Sequence, residues 1–205
     1  MRLTLVVLAL LGTLTANARA EAPLDALLAR LAKVEGLSAQ FREEKRMSLV
    51  AVPLVSEGKL YYEKPRSLAR HTLTPSKSSV LLQGDVVRFG DGKHTQSIAL
   101  HAQPAVRMLV DTFVSVLAGD KAALLRLANV TYEAPAKDSW RIRVVPKDPK
   151  LLRIVKAMAF EGKAAELSSM ELVDGHGDVT RTTFKQVRFG KLPPAEAKSV
   201  LRIGG

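Results

Sequence analysis

Apolar and polar positions change period several times along this chain, and each change marks an element. Leu24, Leu27, Leu28, Leu31 and Val34 fall on one stripe at helical spacing. A helix is therefore predicted from Pro23, whose missing N–H is harmless in a first turn, to a stop at Gly36. From Leu37 to Val50 the period becomes two. Ala39, Phe41, Met47 and Leu49 share a face with Glu43 and Lys45, which predicts a strand with a charged, solvated rim. Between Glu57 and Asp91 come four short β-type runs: Gly58 to Glu63, Ser67 to Leu73, Val80 to Leu82 and Val86 to Phe89. They are broken by Lys64-Pro65, Thr74-Pro75 and Gly84-Asp85, an antiparallel meander whose breaks use Pro and Gly as punctuation.

The middle of the chain departs from this rhythm. After a loop at Asp91 to Thr95, a short run Ser97 to Leu100 and Pro104, the segment Ala105 to Ala118 is apolar around most of a helical circumference. Such a helix must be covered on more than one side or must cover something itself. A buried core helix and a deformable ceiling over an apolar ligand both satisfy that pattern. Gly119 breaks it, Asp120 is a good N-cap, and Lys121 to Ala128 makes a second, shorter helix.

Strands then return. Val130 to Ala134 and Trp140 to Val144 alternate cleanly, Leu152 to Phe160 is an apolar run, and Leu167 to Val173 and Val179 to Phe189 flank the hairpin turn Asp174-Gly175-His176-Gly177-Asp178. Residues 190–205 are basic and contain Pro193-Pro194, and a loosely attached tail is expected. The sum is a mainly β (α+β) fold of about eleven strands. An antiparallel sheet that long must curl, and a helical insertion at mid-chain can fill its concave side.

Composition adds an address. Arg2, the apolar run Leu3 to Leu14 and Ala18-Arg19-Ala20 have the form of an export leader, so residues 1–20 are expected to be removed after Ala20, leaving a single domain over residues 21–205 in the periplasm. The apolar run is too short to span a bilayer. The chain has no cysteine and carries a formal charge of +11. Such a balance favours anionic partners, which for an exported protein are phospholipid, lipopolysaccharide or acidic protein surfaces. One Trp and three Tyr offer few stacking platforms, so a nucleic-acid partner is not expected.

Catalytic signatures are missing: no Cys nucleophile, no Gly-x-Ser-x-Gly elbow, no P-loop and no dinucleotide fingerprint. His71, His94, His101 and His176 have no partner at metal-ligand spacing, and the Asp174 to Asp178 segment has too few acids for a calcium loop. Glu43 and Glu44 point to opposite faces of their strand, which argues against an acid–base pair. No metal, no cofactor and no enzymatic activity are expected.

Three segments resemble the LolA family, periplasmic carriers of outer-membrane lipoproteins. These are Ala39-Gln40-Phe41-Arg42-Glu43, then Gly58-Lys59-Leu60-Tyr61-Tyr62-Glu63-Lys64-Pro65, and Pro75 followed by Gly84-Asp85. A looser similarity runs from Leu24 to Phe189. The resemblance implies a curved, unclosed antiparallel β-barrel with an N-terminal helix and a helical lid. It implies that an apolar inner face, with Phe41, Leu60, Tyr62 and Leu68 on strands and Val106, Leu109, Val110, Phe113, Val114 and Leu117 on the lid, receives acyl chains.

By the same resemblance, an inner-membrane ABC transporter is the donor of a lipoprotein or lipid cargo and an outer-membrane protein the acceptor, with transient membrane contact by a monomer. Lys64 stands where the family has an arginine that latches the lid through backbone carbonyls. It keeps the charge without the planar fork. Arg66 could substitute only if its strand were bulged. Arg70 replaces a family aromatic and is expected to contact a head group. The ending Phe189-Gly190-Lys191-Leu192-Pro193-Pro194 follows the family only loosely, and Ser199 to Ile203 match nothing in it. A second reading from another class keeps the fold but makes the protein a sensor or scaffold for a lipidated or protein partner at the cell envelope; a hydrolase ranks last.

Overall fold

The computed structural model describes residues 16–203, so most of the leader, residues 1–20, lies outside the described residues. The first helix, α1 (Ala16–Leu31), starts earlier than the stripe predicts, with Pro23 inside it. A proline there removes one helical hydrogen bond to the carbonyl four residues back. Leu24, Leu27, Leu28 and Leu31 are buried as predicted. Val34 lies beyond the helix, and Gly36 is the first residue of β1 rather than a helix stop. A side chain at Gly36 would meet the carbonyl oxygen of Gly190 at 2.8 Å and that of Tyr62 at 3.0 Å, so the residue answers to close strand approach and not to a cap.

Eleven strands follow: β1 (Gly36–Arg46), β2 (Leu54–Glu63), β3 (Ser67–Thr74), β4 (Ser78–Gln83), β5 (Val86–Gly90), β6 (Thr95–Ala99), β7 (Ala128–Glu133), β8 (Ser139–Pro146), β9 (Val155–Lys163), β10 (Glu166–Asp174) and β11 (Val179–Phe189). They form one antiparallel sheet in the order β6-β5-β4-β3-β2-β1-β11-β10-β9-β8-β7. The pairing of β1 with β11, with Phe41 opposite Phe184, joins the two halves of the chain. β6 and β7 are left as the two edges, so the sheet curls without closing.

That topology dictates where the insertion goes. The segment from β6 to β7 has to travel from one sheet edge to the other, and α2 (Pro104–Ala118) and α3 (Lys121–Leu127) carry it across the concave side. Gly119 ends α2 in a left-handed conformation (φ 67°), and the Asp120 carboxylate accepts from the Ala123 N–H to start α3, both as predicted. α1 packs beside α2, so close that a side chain on Gly119 would strike the Leu28 carbonyl. Leu27, Leu28, Leu100, Val116, Leu124, Ile142 and Phe160 fill the space between helices and sheet.

Two elements depart from the pattern. Leu152 closes a short helix, α4 (Pro149–Leu152), capped by the Asp148 side chain on the Lys150 N–H, so the apolar run from Leu152 enters its strand only at Val155. The basic tail is not loose: α5 (Pro194–Val200) lies against the outer face of the sheet, where the His71 ring bonds the Val200 carbonyl.

Candidate functional site

The concave face holds a cavity of about 180 Å³ beneath α2. Its floor comes from alternate, inward-pointing positions of adjacent strands: Phe41 on β1, Leu60 on β2, Leu68 on β3, and Met170 and Phe184 on β10 and β11. Its roof is Phe113, whose ring also packs 6.1 Å from that of Phe160. Period two on the strands and period 3.6 on the helix thus deliver aromatic and aliphatic side chains to one space.

Four of the ten side chains expected in an acyl cavity line it: Phe41, Leu60, Leu68 and Phe113. Val114 and Leu117 are buried in the core. Val106, Leu109 and Val110 form a half-buried stripe with Phe113, packed against the same core. The helix is therefore a core element along Val114, Val116 and Leu117, and at Phe113 it borders the cavity. Tyr62 is buried outside the cavity, with a hydroxyl that has no hydrogen-bond partner. Burial, reinforced by the negative charge of Glu35, pushes that hydroxyl up to about 12.

The cavity is not wholly apolar. Arg70 lies at its edge, 4.2 Å over the Phe41 ring, and its guanidinium donates to Glu43 Oε1 at 2.9 Å and to Thr72 Oγ1 at 3.0 Å. Thr182 Oγ1 donates to the other oxygen of Glu43 at 3.1 Å. Glu43 is therefore an inward, half-buried member of the site and not part of a solvated rim. Glu44 points the other way and pairs with Arg42 at 2.9 Å and with Arg46 at 3.8 Å. Met170, Phe184, Thr182 and Glu43 are the lining residues that sequence reasoning missed. Their signal was register: Phe184 is opposite Phe41 and Thr182 opposite Glu43 across the β1–β11 pair.

Lys64 does not reach α2. Its ammonium donates to the Ala32 carbonyl at the end of α1 and lies 4.0 Å from Glu35. The cation that reaches α2 is Arg66, which donates to Asp111 with one arm and to the Gly84 carbonyl at 2.8 Å with another. No strand bulge is needed, because residues 64–66 form the turn between β2 and β3 rather than a continued strand. Asp111 also receives Arg107, 3.4 Å away on its own helix.

The Asp174 to Asp178 segment is a turn, as expected. Burial works against the Asp174 charge, but the backbone N–H groups of Asp178 and His176 bond its carboxylate and hold it below the usual range. Among the described residues no cluster of three or more His, Asp or Glu side chains is placed to hold a metal ion.

Comparison with known proteins gives this architecture a context. A family model described as "Outer membrane lipoprotein carrier protein LolA-like" matches residues 16–188. Among solved structures, the Pseudomonas aeruginosa MucA/MucB complex is similar at 14% identity and a TM-score of 0.51, over 85% of this chain and 60% of that one. MucB alone gives 14% and 0.51 over 89% and 62%. The chain thus spans about three fifths of the MucB chains, and the likeness is one of fold. A LolA superfamily protein from Nitrosomonas europaea aligns over 86% of this chain and 96% of its own, at 9% identity and a TM-score of 0.46. No curated protein matches the sequence.

Proposed function

The chain belongs to the LolA-like family of outer membrane lipoprotein carrier proteins, and from that premise we propose that it shields the acyl chains of a lipoprotein or another lipid beneath α2 and carries them across the cell envelope. The observation that carries this reading is the Phe41–Leu60–Leu68–Phe113–Phe184 cavity on the concave face. A binding protein of this kind needs no catalyst. Burying acyl chain is worth roughly 0.8 kcal/mol per methylene, so ten methylenes give about 8 kcal/mol, near micromolar binding before ordering is subtracted.

Size decides what state the structure represents. A cavity of about 180 Å³ is smaller than the roughly 300 Å³ at which ordinary ligand pockets begin. Loading an acyl chain therefore requires α2 to lift. In this reading Arg66 and Asp111 form the latch, and Lys64 fixes α1 against the sheet instead. Arg70, with Glu43, is the group a polar head would meet at the cavity edge. Export with cleavage of the leader after Ala20, receipt of cargo from an inner-membrane ABC transporter and delivery to an outer-membrane acceptor complete the proposal.

Mass spectrometry of the protein purified from the periplasm is expected to find a co-purifying acylated species. An empty protein that also ignores fluorescent fatty acids would overturn the carrier reading. A second reading draws on MucB, which is solved in complex with MucA: the same fold can act as a scaffold for a protein partner. A stable inner-membrane partner in a pull-down, together with the absence of any lipid, would favour it.

A further inference from the structure

The β1–β2 hairpin ends in an exposed apolar tip. Leu49 is 95% exposed, Val52 72% and Leu54 57%, and Val50 between them is open as well. Single apolar residues on a surface are ordinary, whereas four within six residues of one hairpin form a patch. The tip is also held in place. The Val50 N–H donates to the Met47 carbonyl at 3.1 Å, and the Ser48 N–H donates to Asp178 Oδ1 at 3.1 Å in the β10–β11 turn. That turn is tied in its own right to the corner before β9, where the Gly175 N–H donates to the carbonyl of Ile154, another exposed apolar residue. Three turns are thereby locked into one end of the barrel.

Charge around this end is of both signs, and what matters is where the cations stand. Lys45 lies next to the tip on β1, where its charge acts on Asp174, and Arg153 and Lys156 flank Ile154 with no carboxylate at ion-pair distance among the described residues. The nearby acids keep their charge but are engaged within the turns. Asp174 takes two backbone N–H groups, Asp178 takes Ser48, and Glu44 takes Arg42 and Arg46. An apolar centre bordered by Lys45, Arg153 and Lys156, on a chain whose +11 becomes +9 when Arg2 and Arg19 leave with residues 1–20, matches the boundary between head groups and acyl chains in an anionic leaflet. The cavity edge faces the same end: along β1 the inward side chains run from buried Phe41 to half-buried Glu43, then Lys45, then the tip.

We propose that this end of the barrel docks on an anionic phospholipid surface, the Leu49–Leu54 tip entering the interface and Lys45, Arg153 and Lys156 meeting phosphates. Docking rests on the chain facing a membrane and not on the cavity holding a lipid, so the two are tested apart.

The test is co-sedimentation of the exported protein, without cargo, with phosphatidylglycerol-containing vesicles and with vesicles of phosphatidylcholine alone. Binding to the anionic vesicles is expected, weakening with salt. Leu49→Asp/Val52→Asp should partition roughly tenfold less or worse, while Leu125→Asp on α3 should partition like the parent. Leu49→Trp supplies a second readout, a blue shift on vesicle addition, against which the buried Trp140 stays silent. Vesicle binding that is absent, or unchanged in the double Asp variant, would overturn the proposal. So would a dimer, seen by sedimentation velocity, that the double variant dissolves while vesicles are ignored, since a second copy would then be the occupant. Fatty-acid binding by the double variant should be unaffected, so its failure there speaks to the cavity and not to the tip.

Discussion

Arg66, in the turn between β2 and β3, forms an ion pair with Asp111 in the middle of α2, and this pair ties the helix to the wall of the sheet. Both side chains are largely shielded, at 27% and 20% exposure, so salt screens the pair less than it would a surface salt bridge. The guanidinium fork allows Arg66 to hold Gly84 at the same time. Arg66→Ala is expected to speed amide hydrogen exchange across residues 104–118 and to quicken uptake of a fluorescent fatty acid, with a stability loss of roughly 1–2 kcal/mol. Lys64→Ala should instead loosen the end of α1. Equal exchange rates in α2 for Arg66→Ala and the parent would count against the latch.

Roof and core on α2 can be separated by two truncations. Leu117 is fully buried, so Leu117→Ala should cost about 2–5 kcal/mol of stability. Phe113 is only half-buried and lines the cavity, so Phe113→Ala should cost less and should weaken acyl binding measurably. Thermal denaturation and fatty-acid titration of both variants decide it. If both lose stability and neither changes binding, α2 is a core helix only.

Much of this was legible in the chain because local rules agree with the fold. The strand breaks at Lys64-Pro65, Thr74-Pro75 and Gly84-Asp85, the Asp120 cap and the Asp174 to Asp178 turn each have a local physical cause, and each is where it was read. What was not legible depends on register. Glu43 reads as rim because its neighbours in sequence are charged, but its neighbours in space are Arg70 and Thr182. The contact with α2 falls to Arg66 and not to Lys64 for a similar reason: a motif aligns residues in a row, while the direction each side chain takes out of a tight turn is settled by what surrounds it.

Arg70 and Glu43 should set head-group selectivity. A fatty acid presents a carboxylate to Arg70, and a fatty alcohol of equal length does not. Arg70→Met is expected to weaken fatty-acid binding roughly tenfold and to leave the alcohol nearly unchanged, the usual scale for one charge-assisted hydrogen bond. Equal losses for both ligands would assign Arg70 to the sheet alone.

Tyr62 gives a pH signature. Its hydroxyl is buried without a partner, and its folded-state pKa is raised from 10.0 to about 12. Above pH 10 the unfolded chain loses this proton while the folded chain keeps it. Stability is therefore fully present below pH 10 and declines as pH rises towards 12, by about 2 kcal/mol from this group. Tyr62→Phe should remove that part of the alkaline slope and, at neutral pH, be neutral or stabilising by about 1 kcal/mol, because no hydrogen bond is lost. Denaturant titrations of both proteins at pH 8 and pH 11 measure the difference.

A histidine ring helps to fasten the tail, beside the Lys191–Glu35 pair at 3.9 Å. In the neutral histidine, Nε2–H of His71 donates to the Val200 carbonyl at 2.6 Å, so Nδ1 accepts from the Ser79 hydroxyl at 2.8 Å. His71 and Ser79 lie opposite each other across β3 and β4. Ala69 and Leu81, the next pair on that outer face, are buried. Outward residues of a sheet's convex side are buried only if something covers them, and the segment ending in Val200 is bonded to that face. His71→Ala should therefore release residues 190–203 to limited proteolysis while the sheet stays folded, since only the outer cover is lost. His71→Asn, which can still donate to a carbonyl, should restore part of the protection. A tail cut equally slowly in His71→Ala and the parent would mean that Pro193, Pro194 and the α5 packing hold it without the ring.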